Sequence, residues 1–305
     1  MDRTVDLRSD TITKPTDAMW DAMHHADVGD DVYGEDPTVI RLQELAAAKV
    51  GMEAALYVPS GTMANTCAML AHTHPGEEMI AEELAHVYCW EAGTYANIAG
   101  LTVRSVKGDN GIFTRQQFED TLRPPNAHFP RTTLLCLENS HNNAAGAVWS
   151  VDEMAAVTDV AREWGMKVHL DGARVFNAAI TLGVDARKIA ATVDSVMFCV
   201  SKGLSAPVGS LLCGTREFVD EAHRARKRLG GAMREAGIIA AAGIVALETM
   251  IDRLAEDHET ARLLEEGLSA IDGVTATRAP RPTNIIMVDV AGLGWTSAEV
   301  IERWT

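Results

Sequence analysis

The 305-residue sequence has no excess of positive charge: 27 Lys and Arg stand against 43 Asp and Glu, a formal net charge of −16. That balance repels nucleic acid and anionic membrane surfaces, so neither is an expected partner. No apolar run approaches the roughly 20 residues needed to span a bilayer. The opening residues Met1-Asp2-Arg3-Thr4 carry no apolar stretch of a signal peptide, which makes the cytoplasm the expected location. Cysteines are few. There are five (Cys67, Cys89, Cys136, Cys199 and Cys213), odd in number and irregularly spaced, mostly inside apolar stretches. With no CxxC, HExxH or paired metal-ligand spacing, neither a disulfide framework nor a metal site is expected, and the thiols read as buried and free. Internal repeats, low-complexity tracts and long Gly/Ser/Pro linkers are also missing.

What remains is an ordinary globular composition, 47% hydrophobic and 23% charged, at a length that suggests about two domains. A short apolar run, a polar or glycine turn and a helical pattern recur along the chain. Residues 54–58, 133–137, 166–170, 195–200 and 210–213 read as strands. The first ends at Pro59-Ser60-Gly61-Thr62 and passes into a helix; another helix opens at Asp152 with Met154, Val157, Val160, Ala161 and Trp164 on one face. Doubly buried strands alternating with helices indicate an α/β fold with a largely parallel sheet. Residues 234–268 read as almost wholly helical, 285–290 as a strand, and a last helix opens at Ser297. The expected division is a large domain over residues 1–250 and a smaller C-terminal α/β domain over 251–305 that lacks a closing strand.

In open α/β sheets, ligands collect beyond the carboxyl ends of the strands. Four clusters stand there: Ser60-Gly61-Thr62, Glu138-Asn139-Ser140-His141-Asn142, Asp171-Gly172-Ala173-Arg174 and Ser201-Lys202-Gly203. Gly61 and Thr62 at a helix start offer free N–H groups and a hydroxyl to a phosphate, unless Ser60 is simply an N-cap. Asp171, ending an apolar strand, needs a partner such as a protonated heterocyclic nitrogen, or an internal salt bridge with Arg174. Lys202 is either a solvated lysine or a partly desolvated amine able to form a Schiff base. Together, a phosphate turn, a strand-end Asp and a later strand-end Lys are the anchors that pyridoxal 5′-phosphate requires. No GxGxxG follows a strand, which disfavours a nicotinamide cofactor.

At these residues the sequence resembles the low-specificity L-threonine aldolases of the fold-type-I pyridoxal-phosphate superfamily. The likeness runs through Asp6-Leu7-Arg8-Ser9-Asp10-Thr11, the stretch from Gly29 to Thr38, and Pro59-Ser60-Gly61-Thr62-Met63-Ala64-Asn65. It continues through His86-Val87-Tyr88 with Glu91-Ala92-Gly93, His169-Leu170-Asp171-Gly172-Ala173-Arg174, and Ser201-Lys202-Gly203-Leu204 with Ala206-Pro207-Val208-Gly209-Ser210. The resemblance implies an aspartate aminotransferase-like fold with a mostly parallel seven-stranded sheet. It implies a Schiff base at Lys202, a pyridinium partner in Asp171, phosphate contacts from Gly61 and Thr62, and His86 stacked on the cofactor. Ser9 and Arg174 would bind the substrate carboxylate, and His128 would lie near the β-hydroxyl. Tyr33 and the basic stretch Arg224, Arg226, Lys227 and Arg228 would reach a neighbouring subunit's site, within a homotetramer built from dimers.

The implied reaction is cleavage of L-threonine or L-allo-threonine to glycine and acetaldehyde, with His86, His128 or a water they hold as the base. The same anchors would serve β-elimination, hydroxymethyl transfer or racemisation of a small amino acid, and a non-catalytic scaffold of the same fold would also keep them. Two departures stand out. The family's Gly-Gly-Gly-Met-Arg-Gln reads Gly230-Gly231-Ala232-Met233-Arg234-Glu235 here. Family members also continue beyond the position of Thr305 and supply a second carboxylate-binding arginine, so the resemblance implies weaker substrate binding with cofactor binding intact.

Overall fold

The computed structural model describes residues 6–304; Met1-Asp2-Arg3-Thr4 and Thr305, on which the leader and chain-end expectations rest, lie outside the described residues. Seven strands build the main sheet: β1 (Ala54–Val58), β2 (Glu78–Glu82), β3 (Thr102–Val106), β4 (Thr132–Glu138), β5 (Lys167–Asp171), β6 (Ser195–Cys199) and β7 (Ser210–Gly214). Their order is β1-β7-β6-β5-β4-β2-β3. Only β7 runs against its neighbours β1 and β6; the run β3-β2-β4-β5-β6 is parallel throughout. The carboxyl ends of β1, β4, β5 and β6 therefore share one edge.

Strands β6 and β7 are buried at every position, as their unbroken apolar runs require. Strand β2 escaped the hydrophobic pattern because its sequence, Glu-Met-Ile-Ala-Glu, is charged at both ends. Both acids are nonetheless buried. Glu78 takes Arg123 at 2.8 Å and Arg104 at 3.2 Å, and Glu82 faces His141 at 3.2 Å.

The helix Val151–Glu163 begins in a reciprocal cap: the Ser150 hydroxyl accepts from the Glu153 N–H at 3.2 Å, and the Glu153 carboxylate accepts from the Ser150 N–H at 2.7 Å. Removing such a cap costs about 1 kcal/mol. Met154, Val157, Val160 and Ala161 face the core as the periodicity indicates, but Trp164 lies past the helix end and is 44% exposed. The main core lies between this helical layer and the sheet. Trp149 meets Phe113 edge-to-face at 4.9 Å, and Phe176 meets Phe198 at 5.1 Å. Truncating a buried ring such as Phe198 to Ala costs about 3–5 kcal/mol.

After the sheet, the helix Gly237–Val245 runs into a π-helical turn, Ala246–Met250, and the helix Leu254–Ser269 follows. The expected helix over 234–268 is thus interrupted rather than continuous. Then comes an antiparallel hairpin of β8 (Thr275–Thr277) and β9 (Met287–Asp289), and the helix Ser297–Trp304. The strand expected over 285–290 shrinks to three residues, and the chain before it is held by the loop that follows β4 and by the N-terminal segment. The Thr283 hydroxyl donates to the Gly146 carbonyl at 3.2 Å, and Asn284 donates to the Asp10 carboxylate at 3.0 Å. Gly146 has a φ of +70°, and a Cβ there would fall 2.1 Å from the Thr283 hydroxyl, so only glycine lets this segment dock. Among the described residues no helix is long and apolar enough to cross a membrane.

Candidate active site

Four strand ends and the segments after them close on a small cleft, with Gly61, Thr62, His86, Asp171, Arg174 and Lys202 all on its wall. Ser60 is indeed an N-cap: its hydroxyl accepts from the Met63 N–H at 3.2 Å. That bond leaves the Gly61 and Thr62 N–H groups at the open end of the helix Gly61–His72, where its dipole favours an anion. A Cβ on Gly61 would lie 3.0 Å from the Met197 methyl and 3.2 Å from the Cys199 sulfur. Glycine therefore seats this helix start tightly on β6 and keeps its N–H groups bare toward the cleft.

Asp171, at the end of β5, is 3% exposed and does not pair with Arg174. One carboxylate oxygen accepts from the Ala173 N–H at 3.1 Å and the other from the Asn65 amide at 2.9 Å. Each oxygen keeps a further lone pair, which a heterocyclic N–H can fill. Lys202 follows β6 in a turn whose carbonyl is pinned by the Thr13 hydroxyl at 2.7 Å and the Ser205 N–H at 2.8 Å. Pinning the backbone fixes where the half-buried side chain leaves the turn. An amine, a hydrogen-bond acceptor and an N–H cradle thus face one space. That donor set fits a phosphorylated heteroaromatic aldehyde, and the glycine-lined helix start gives its phosphate room.

Arg174 is almost wholly buried and held from two sides. Its Nε and Nη2 donate to the Asp10 carboxylate at 2.8 and 2.7 Å, and Nη1 donates to Asn142 at 3.1 Å. Burial raises the Asp10 carboxyl, but the Arg174 bonds and charge, with help from Asn284 and Lys202, outweigh it and hold it below the ordinary range. A guanidinium has five N–H donors, so two remain for a substrate.

His86 opens a short helix and its ring is set by Glu91, which meets Nδ1 at 3.0 Å. Its backbone N–H is held at 2.7 Å by Glu138, a residue whose own carboxyl is pushed up by burial. The Glu91 bond raises the His86 imidazole, while burial and the nearby Asp171 charge raise the Glu91 carboxyl. The two act as a pair that holds one proton, leaving Nε2 as the ring nitrogen for the cleft. His86, Glu91 and Asp171 offer ligand atoms within 4.8 Å of one another, a spacing a metal ion could use. Those groups already share two hydrogens of Asn65 and one of His86, which reads as a proton-holding cluster.

Other expected residues stand apart from the cleft. His128 sits exposed on the segment leading into Thr132, the first residue of β4, whereas the cleft lies at Glu138, the last. A seven-residue strand spans about 20 Å, so this side chain serves the other edge of its own sheet. Tyr33 is 75% exposed. Ser9 is exposed and caps a short turn by accepting from the Thr11 N–H at 3.2 Å, one residue from Asp10 on Arg174. Arg226 departs from expectation: it is 1% exposed, paired with Asp31 at 2.9 Å and bonded to the Tyr57 carbonyl at 2.7 Å. It is thereby spent inside its own chain, whereas Arg224, Lys227 and Arg228 of the same helix are exposed.

Asn65, Glu91 and Asp10 lay within the quoted motifs but carried no assigned role. Asn65 had a legible signal: it stands four residues after Gly61 on one helix, hence on the same face one turn deeper. Asp10 gave none, because its partners Arg174 and Asn284 are distant in sequence; Glu91 stands five residues after His86, but only the fold shows that it meets the ring.

The chain matches the family model described as "Beta-eliminating lyase" over residues 6–292. It is 43% identical over 305 residues to low-specificity L-threonine aldolase 1 of Arabidopsis thaliana, covering 99% of this chain and 85% of that protein. It is 43% identical over 287 residues to the low specificity L-threonine aldolase of Escherichia coli K12, covering 94% and 84%. Among solved structures, a putative L-allo-threonine aldolase from Listeria monocytogenes superposes with a TM-score of 0.77 at 24% identity, over 89% of this chain and 75% of that one. Leishmania major threonine aldolase gives 0.78 at 20% identity, over 91% and 81%. These two likenesses concern the fold, and they match the expected fold-type-I architecture.

Proposed function

The chain belongs to the low-specificity L-threonine aldolases of the beta-eliminating lyase family, and from that premise we propose that it cleaves L-threonine and L-allo-threonine to glycine and acetaldehyde, using pyridoxal 5′-phosphate. The observation that carries this reading is the convergence of Lys202, Asp171 and the bare Gly61–Thr62 N–H groups on one cleft. When bound, the cofactor supplies a sink for the electron pair left at Cα. Lys202 provides the amine that holds its aldehyde carbon, Asp171 accepts its ring N–H, and Gly61 and Thr62 hold its phosphate.

The remaining residues of the chain orient the substrate and move its protons. Arg174 presents its two free N–H groups to the amino-acid carboxylate, with Ser9 beside it. His86, on the wall of the cleft, would stack against the bound cofactor and use Nε2, directly or through a water, to take the β-hydroxyl proton, while Glu91 steadies Nδ1. Loss of that proton lets the Cα–Cβ bond break, the aldehyde departs, and a proton returned to Cα completes glycine. His128 can reach a cleft only in a neighbouring subunit, and we assign it there with Tyr33, Arg224, Lys227 and Arg228, in a homotetramer of site-sharing dimers. We divide the chain into a cofactor domain over 1–250 and a small domain over 251–305, and place the enzyme in the cytoplasm, where thiols like these stay reduced.

The test is product identity. Protein incubated with pyridoxal phosphate and L-threonine should release acetaldehyde and glycine in equal amounts, the aldehyde read by its reduction with NADH and an alcohol dehydrogenase. Ammonia with a keto acid, or racemised threonine, would replace this reading with elimination or racemisation. No product and no visible band from lysine-bound cofactor would favour a non-catalytic scaffold.

A further inference from the structure

Behind Asp171 runs a line of buried polar side chains that the steps above do not use. Asn65 is 1% exposed, and its amide nitrogen donates both to Asp171 at 2.9 Å and to Glu91 at 2.7 Å. Both amide hydrogens are thus spent; the flipped amide would set its carbonyl oxygen against two carboxyl groups. The Asn65 oxygen must therefore accept, and its partner is His169 Nε2 at 3.0 Å. Burial pushes the His169 imidazole down to about 4, although the Asp171 charge and the Ser195 backbone pull the other way. The ring is neutral at pH 7, so its single N–H sits on Nε2. Nδ1 is left to accept from the Ser195 hydroxyl at 2.9 Å.

The line continues one group further. The Ser195 oxygen faces His72 Nε2 at 2.7 Å, and burial, with His169 and Lys167 acting in the same sense, holds His72 down at about 3. His72 is neutral too, and because the Ser195 hydrogen is already given to His169, His72 Nε2–H is the donor. Every bond then points one way, from His72 at the end of its helix through Ser195, His169 and Asn65 to the carboxyl groups of Asp171 and Glu91. Reversing any one link would leave two donors or two acceptors face to face inside the protein, at about 1–3 kcal/mol.

We propose that His169 is a positioning residue for the cofactor's ring nitrogen: it locks Asn65 with its N–H groups on Asp171, which keeps that carboxylate an acceptor turned toward the cleft. This rests on the pyridoxal-phosphate reading above. It adds a role for a histidine that touches neither cofactor nor substrate.

Two measurements test it. In cofactor-free protein labelled with 15N-histidine, the His169 signals (identified by their loss in His169→Gln) should show a neutral ring with the hydrogen on Nε2 at pH 7. A hydrogen on Nδ1, or a doubly protonated ring, would overturn the proposal. The second compares affinity for pyridoxal phosphate with affinity for its 1-deaza analogue, in which C–H replaces the ring nitrogen. His169→Phe should weaken the natural cofactor about tenfold, the effect of one impaired charge-assisted hydrogen bond, and barely change binding of the analogue. His169→Gln, which keeps a donor, should restore most of the loss. Equal weakening toward both ligands would mean a merely structural role and would overturn the proposal. If His169→Phe does not fold, Ser195→Ala, which removes one oxygen from the line, should show a smaller version of the same split. If the unsubstituted protein binds both ligands equally, or neither, the pairing of Asp171 with a ring nitrogen fails and the proposal falls with it. The Nε2 tautomer, read without cofactor, tells that failure from a failure of the relay.

Discussion

The two edges of the main sheet carry openings of opposite character. At the carboxyl edge the cleft holds only about 20 Å³, and its wall is crowded with charged groups that already have partners. At the amino edge a cavity of about 840 Å³ lies under the segment 122–131, lined by prolines 124, 125 and 130 with Phe129 and Trp164. The larger opening is anchored by Arg123, which pairs with Glu78 at 2.8 Å and lies 4.2 Å over the Phe129 ring. Volume alone would choose the wrong edge. In a parallel sheet the helices that follow the strands begin at the carboxyl edge, so free N–H groups and positive dipole ends gather there. The amino edge receives helix ends and returning loops, which do not converge on a point.

The contrast can be broken most sharply at Lys202. Lys202→Ala should lower threonine cleavage more than about a thousandfold and abolish the visible band of lysine-bound cofactor, leaving the far-ultraviolet spectrum unchanged. Retained turnover would remove the chemistry from the carboxyl edge. His128 joins the two edges if it works across subunits. His128→Ala should lower kcat/KM roughly a hundredfold, the contribution of a positioned proton-transfer group. Co-refolding it with Lys202→Ala should then restore a fraction of wild-type sites; no recovery in mixed oligomers would confine His128 to the amino edge.

A smaller effect is expected at Asp10. Asp10→Asn leaves the Arg174 charge without its carboxylate and should raise KM for threonine between ten- and a hundredfold while changing kcat less, as steady-state kinetics will show. The last prediction concerns stability. His72 and His169 have folded values near 3 and 4, both below the unfolded value, so acid favours protonating the unfolded chain. Their share of stability is complete above about pH 6.5 and falls by roughly 1.4 kcal/mol per pH unit for each histidine as the pH drops toward those folded values. Urea midpoints from pH 7 to 5 should show this contribution as a fall with acid, and His169→Gln should make that fall shallower.

Much of this architecture was legible because buried parallel strands are written as unbroken apolar runs. Residues 54–58, 195–200 and 210–213 lie almost residue for residue on β1, β6 and β7. Strands β2 and β3 were not legible: Glu78 and Glu82 make β2 look like a surface segment until their partners, which lie far along the chain, are known. The same division runs through the site. Lys202, Asp171 and Gly61 follow strands and could be found from position alone. Asp10 acquires meaning only from neighbours brought together by folding, whereas Asn65 is placed by its helical spacing from Gly61, and Glu91 lies five residues after His86. The burial of Arg226 was hidden likewise, since its helix reads as uniformly basic on that turn and only Asp31 distinguishes it.

The Asp10 carboxylate has a consequence for the order in which the protein can mature. It ties Arg174, 164 residues away, and Asn284, 274 residues away, to the N-terminal segment at a single point. Closing such spans adds little equilibrium cost, since doubling a loop costs only about 0.6 kcal/mol, but contacts of this separation form late. The sheet itself closes a span of the same order, with Ala54 paired to Gly214, so the Arg174 end of this tie can form as β1 and β7 join, whereas the Asn284 end reaches a segment more distant still. The substrate anchor thus draws on segments from both ends of the chain, and turnover becomes a report that both have come home.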